Sequence, residues 1–178
     1  FLGNPAPVIS ADIAPHVTRG IPAALGGSVS HATGGIWSAL AGPGSVAFAD
    51  ATVPDTTAVF SQPGSYLLQL AAANSRGETS RSFGVTVLSG LESWRQTYFG
   101  NPSGSGSAAD QADPNGDGEV NLIEFATGQD PRAATLAVPG LVKNGATLEL
   151  TYTRSHAAVA DGISFAVEWN DDLAGGWS

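Results

Sequence analysis

The sequence predicts a mainly β protein in three parts: a two-layer sandwich, a short helix–loop–helix segment, and a further, partial β unit. Three observations lead there. With 23 glycines and 11 prolines in 178 residues, the chain is cut into short runs that suit strands and turns better than long helices. Period-two alternation of apolar side chains recurs over residues 1–89 and again over 133–178, as half-buried strands require. Between them, residues 90–132 switch to helical spacing and then to an acidic, glycine-containing loop.

Within 1–89, turn signals recur at Asn4-Pro5, Arg19-Gly20, Gly26-Gly27, Gly34-Gly35, Gly42-Pro43-Gly44, Pro63-Gly64 and Arg76-Gly77. Tyr66, Leu68, Leu70 and Ala72 fall on one strand face, and Phe83, Val85 and Val87 on another. Trp37 lies in the apolar run GIWSAL, ahead of Val46 and Phe48, which predicts a core residue rather than a sugar-stacking one. About seven strands over roughly 90 residues is the size of an immunoglobulin-like sandwich.

These residues also carry a resemblance. Trp37-Ser38, AGPGSVAF (41–48), DTTAVFSQPGSYLLQLAAAN (55–74) and FGVTV (83–87) together resemble a PKD domain. The nearer form is the variant whose tryptophan leads into a Ser-x-x-x-Gly-Pro-Gly turn. The chain departs from the more familiar form, lacking both its Trp-Asp-Phe-Gly-Asp-Gly motif and the Asp-Gly turn before the last strand. The resemblance implies an extracellular spacer or adhesion module without catalytic activity.

In GLESWRQTYF, Leu91, Trp94, Tyr98 and Phe99 form one apolar stripe at helical spacing. Glu92 early, Arg95 later and Gly100 as a stop complete a short amphipathic helix. Its packing candidates are the sandwich and the helix after the acidic loop. Asn101 to Ala109 (NPSGSGSAA) reads as a flexible connection without core residues, able to carry O-linked sugars. Asn101-Pro102-Ser103 is no N-glycosylation acceptor, because proline takes the middle position.

The loop DPNGDGEVNLIE, Asp113 to Glu124, matches every specified position of D-x-[DN]-x-[DN]-G-x5-E. Asp113, Asn115 and Asp117 stand at positions 1, 3 and 5, and Gly118 makes the sharp turn at position 6. Glu119 offers its backbone carbonyl, Asn121 acts through a water, and Glu124 closes the loop bidentately from the first turn of the next helix. A hard cation takes roughly six to eight oxygens, and alternate residues of a curled loop aim theirs at one centre. Ca2+ is the expected ion; an ion-free acidic turn is the alternative. Leu91 to Pro131 resembles an EF-hand or a single dockerin-type repeat. More closely, it resembles DxNxDG…NLxEFAxGxDP segments of large exported bacterial proteins. Dockerins pair two repeats and this chain shows one, so cohesin binding is not implied. Asp110 and Asp130 flank the loop, Asp130-Pro131 more simply as a turn former.

In 133–178, LELTYTR and ISFAVEW alternate, with Asp161-Gly162 between them. Two or three strands cannot make an independent core. This part therefore packs on the preceding units, lacks its remaining strands, or completes its sheet with a protein partner or a second copy by edge addition.

The formal net charge of −9 argues against nucleic acid and anionic membranes as partners. No run approaches the roughly 18 apolar residues of a membrane span. With no cysteine, disulfides and thiolate metal sites are excluded. A start at Phe1 suits a processed or excised piece. His16, His31 and His156 lie far apart, and no catalytic motif accompanies them. The expectation is a non-catalytic, calcium-stabilised, secreted or cell-surface module with a structural or adhesive role, open to self-assembly and to a glycan ligand. The rival is an accessory spacer or substrate-binding region of a larger secreted hydrolase.

Overall fold

The computed structural model describes residues 5–137 and 139–166. The chain forms two compact units, Phe1–Ser103 and Gly104–Ser178.

The first unit is a β-sandwich. Its strands are β1 (Val8–Ser10), β2 (His16–Thr18), β3 (Ala23–Ala24), β4 (Ser28–Ser30), β5 (Ile36–Ala41), β6 (Val46–Phe48), β7 (Thr57–Phe60), β8 (Gly64–Asn74) and β9 (Gly77–Leu88). One sheet runs β2-β9-β8-β5, another β3-β7-β6, and β1 pairs with β4. The β2–β9 pairing is parallel, with Val17 opposite Val87. The β8–β9 and β5–β8 pairings are antiparallel, setting Tyr66 opposite Val85 and Trp37 opposite Leu70. If β3 and β4 are halves of one strand interrupted at residues 25–27, the sheets read A-B-E-D and C-F-G. That is the immunoglobulin-like order, here with β2 added beside the last strand.

Burial follows the alternation. Tyr66, Leu68, Leu70 and Ala72 of β8 and Val85 and Val87 of β9 are buried, and one core cluster joins them to Ala58 and Phe60 of β7 and to Leu25. Each large apolar side chain removed from water contributes about 1.5–3 kcal/mol. Trp37 is the core residue its neighbours predict. Its ring stacks on Phe48 at 6.4 Å between centroids, joining β5 to β6 of the other sheet, and it lies 5.6 Å from Phe83. Its Nε1 donates to the Pro54 carbonyl at 2.8 Å. Gly27 permits this approach, since a Cβ there would lie 2.2 Å from the Pro54 oxygen and 3.0 Å from the indole.

Tyr66 supplies a second immunoglobulin-like mark. Near the start of β8, its hydroxyl donates back to the Gln62 carbonyl at 2.9 Å, the tyrosine-corner arrangement. The ring packs edge-on against Phe60 at 4.9 Å.

The expected amphipathic helix is α1, Gly90–Phe99. Ser89 caps it in a reciprocal box with Glu92: the Glu92 N–H donates to Ser89 Oγ, and the Ser89 N–H to Glu92 Oε2. Gly100 ends it in the left-handed region, its N–H on the Gln96 carbonyl. Trp94 packs against Tyr98 and Phe99, and Ser93 bonds Thr18 of β2 at 2.8 Å. Of the two packing candidates, the sandwich strands β2 and β9 are neighbours of α1.

The second unit begins with a 3-10 turn, Gly106–Ala108. It continues through the acidic loop into α2, Asn121–Thr127. The hairpin β10 (Gly140–Asn144) and β11 (Thr147–Thr151) follows, then α3, His156–Ala160. Phe125, Ala126 and Ala158 are buried, and the Ser155 N–H reaches the Ala126 carbonyl at 2.7 Å. Three expectations change here. The connection expected to be flexible over residues 101–109 contains a 3-10 turn, Gly106–Ala108. The Gly/Ser connection has a core residue after all, because Ala108 is buried. The region between the two predicted strands is helical, since Ser155 caps α3 by accepting from the Ala158 N–H. Ile163 to Ala166 form no strand; the rest of ISFAVEW, 167–169, lies outside the described residues.

Candidate metal centre

The loop is curled by its own side chains. Asp113 Oδ1 accepts from the Gly116 N–H at 2.8 Å, and its Oδ2 from the Gly118 N–H at 3.0 Å. Asn115 Oδ1 accepts from the Asp117 N–H and Asp117 Oδ1 from the Glu119 N–H. Each is a short side chain bonding backbone a few residues on, the habit that makes Asp and Asn turn formers. Gly118 has φ of 96°, a conformation that glycine adopts without steric cost.

Three oxygens then converge on one nitrogen. Asn115 Nδ2 lies 2.9 Å from Glu124 Oε1, 3.1 Å from Asp117 Oδ2 and 3.0 Å from the Ala133 carbonyl. An amide carries two hydrogens, so the acceptors outnumber the protons. Glu124 is 0 % exposed, and its Oε2 is buried without a hydrogen-bond partner. Burial raises the Glu124 pKa above the usual carboxylate range, and Asp117, Asp113 and Glu119 add to it, while the Asn115 bond opposes it. A buried carboxylate facing other carboxylates is costly unless a positive charge joins it.

Asn115, Asp117 and Glu124 are thus brought into direct contact, and Asp113 spans the loop backbone beside them. The other two predicted ligands make side-chain hydrogen bonds outside this contact. The Glu119 carboxylate accepts from the Ala137 N–H at 3.0 and 3.1 Å and from Gln129 Nε2, leaving the backbone carbonyl as its expected contribution. Asn121 is buried; its Nδ2 donates to the Ser107 and Ala109 carbonyls at 2.8 and 2.7 Å, and its Oδ1 has no partner. It pins the Gly/Ser connection to α2. Asp130 is a turn former, its Oδ1 on the Arg132 N–H. The Ala133 carbonyl and Gln129 were not foreseen, and no side-chain pattern announces a backbone oxygen.

Among the described residues, no group of three or more His, Cys, Asp or Glu side chains is arranged as a metal cage. The set here is of another kind: two carboxylates and a backbone carbonyl gathered around the Asn115 amide nitrogen, hard oxygen atoms of the kind that suits calcium rather than a transition metal. The orphaned Glu124 oxygen is the feature that fits a cation.

No family profile matches the sequence, and no curated protein matches it. Among solved structures, the chain is similar to the solution structure of the PKD domain from KIAA 1837 protein. The identity is 25 %, covering 43 % of this chain and 83 % of that one, with a TM-score of 0.37. It is also similar to the crystal structure of the titin M3 domain, at 14 % identity over 46 % of this chain and 96 % of that one, with a TM-score of 0.31.

Proposed function

We propose that this chain is a non-catalytic, calcium-stabilised structural or adhesive module of an exported protein, with a PKD-like sandwich followed by a calcium loop. The observation that carries the proposal is the buried Glu124 carboxylate: its Oε2 lacks a partner, and its Oε1 shares Asn115 Nδ2 with oxygens of Asp117 and Ala133. Asp113, Asn115, Asp117 and Glu124 would hold the ion through side chains and Glu119 through its carbonyl. When bound, it would supply the positive charge this cluster lacks. Loops of this modest charge fill where calcium is plentiful, which favours a secreted or cell-surface setting.

The surface that would serve assembly is the β10–β11 hairpin. All its residues are exposed, Leu148 to 69 %, and neither strand has a second partner among the described residues. A strand edge with free backbone donors and acceptors is a template for pairing.

Calcium binding to the folded chain should raise stability by RT ln(1 + [L]/Kd), about 2.7 kcal/mol at roughly one hundred times Kd. Scanning calorimetry in excess calcium against chelator tests it. Superimposable melting curves would reduce the loop to an acidic turn. Sedimentation of the full chain as a monomer at every concentration would remove the assembly role.

A further inference from the structure

We infer that the Ala133 carbonyl is a ligand of the loop's cation from outside the twelve-residue motif, tying the segment before β10 to the ion. The inference rests on the reading of the loop as a calcium site. Ala133 lies nine residues beyond Glu124 in the chain, yet its carbonyl shares one nitrogen, Asn115 Nδ2, with Glu124 Oε1 and Asp117 Oδ2, at 3.0, 2.9 and 3.1 Å. Those three oxygens surround the one donor group that could exchange for a cation. For a cation to take that place, the Asn115 amide would have to turn its hydrogens out of the cluster, at the cost of the bond its Oδ1 accepts from the Asp117 N–H. The three oxygens, hard donors of the kind calcium takes, would then face a positive charge in place of an N–H donor.

The lone pairs of Ala133 are apportioned accordingly. A carbonyl has two. One side of this oxygen is taken by Thr135, whose N–H lies at 2.8 Å and Oγ1 at 3.3 Å. The same oxygen accepts from Asn115 Nδ2 at 3.0 Å. The same segment is held a second time where the Ala137 N–H bonds the Glu119 carboxylate. The loop therefore grips 133–137 at two points, one of them through the proposed ion.

The test must alter a backbone oxygen. Replacing Ala134 by its α-hydroxy analogue, by semisynthesis of the full chain, converts the 133–134 peptide to an ester and weakens the Ala133 carbonyl as a donor. Calorimetric titration with calcium chloride should then show affinity reduced severalfold. The sign is diagnostic. If Ala133 serves only as a partner for Asn115 in the calcium-free protein, weakening it leaves affinity unchanged or raises it, and the inference is overturned. A second measurement uses the unaltered, 13C-labelled chain. The Ala133 carbonyl resonance should shift on titration and saturate at the same midpoint as the Glu124 carboxyl; a stationary Ala133 carbonyl in a chain that binds calcium overturns the inference alone. No calcium binding by the unaltered chain overturns both it and the calcium reading.

Discussion

Asn115 Nδ2 and Glu124 Oε1 meet at 2.9 Å across the loop, nine residues apart in sequence. This contact closes the loop and leaves the other Glu124 oxygen buried without a partner. One carboxylate is thus a burden to the fold without an ion, and under the proposed calcium binding it would become an asset.

Glu124→Gln should therefore act with opposite signs in the two conditions. Without calcium, the substitution removes a buried charge while keeping the side-chain shape, so the variant should melt no lower than the parent in chelator. With calcium, it removes the closing ligand, and the calcium-dependent rise in melting temperature should vanish. Paired melts of both proteins read both effects. A Gln variant that retains the full calcium shift would mean that Glu124 is not a ligand.

The same residue sets a pH dependence. Its pKa in the folded protein is raised, first by burial and then by Asp117, so the folded state holds the Glu124 proton more tightly than the unfolded state does. Stability then falls as pH climbs from the ordinary carboxylate range through the raised value. In chelator, chemical denaturation should show Glu124 lending stability at mildly acidic pH that is lost toward neutrality, and Glu124→Gln should flatten that component. A Glu124 component that grows as pH rises would contradict the raised pKa.

In the sandwich, Gly27→Ala should be among the costly single-methyl additions. The new Cβ would sit 2.2 Å from the Pro54 carbonyl oxygen, so it must displace the acceptor of the Trp37 indole bond. Overpacking costs about 1–3 kcal/mol, and an indole N–H left unsatisfied adds about 1–3 kcal/mol. Urea denaturation followed by tryptophan fluorescence measures the sum. A loss below about 0.5 kcal/mol would show that the backbone yields freely there.

What the sequence disclosed followed from short-range rules. Alternation placed Tyr66, Leu68, Leu70 and Ala72 on a buried face because a pleated strand leaves no other choice once one side is covered. Glu92 and Gly100 marked the ends of α1 because helix termini are local chemistry, although the Ser89 cap was not read. The 113–124 loop was legible for the same reason, since its curl depends on Asp and Asn bonding their own neighbours. Long-range pairings were not legible. Nothing in the residue type of Ala133 says that its carbonyl will face Asn115, and SHAAVA gave no apolar repeat long enough to mark α3. The buried Ala108 was hidden by its setting, because Gly/Ser composition reads as loose until a partner is known.

That partner is Asn121, and one substitution separates its two readings. The motif places it at loop position 9, expected to act through water, where an aspartate would strengthen a cation site. In the fold, Asn121 Nδ2 instead donates to two backbone carbonyls, Ser107 and Ala109, and the residue is buried. Asn121→Asp keeps the shape but replaces the donor with an oxygen, so two carbonyls lose their hydrogen bonds and face a buried negative charge. Leaving such a charge uncompensated costs about 3–5 kcal/mol. The variant should accordingly lose stability in chelator by that order, and early proteolytic cleavage should appear in residues 101–109 as the Gly/Ser segment is released. A ligand at position 9 predicts the reverse: unchanged melting in chelator, tighter calcium binding and an intact segment. The clamp and the ligand thus give opposite results in the same two assays.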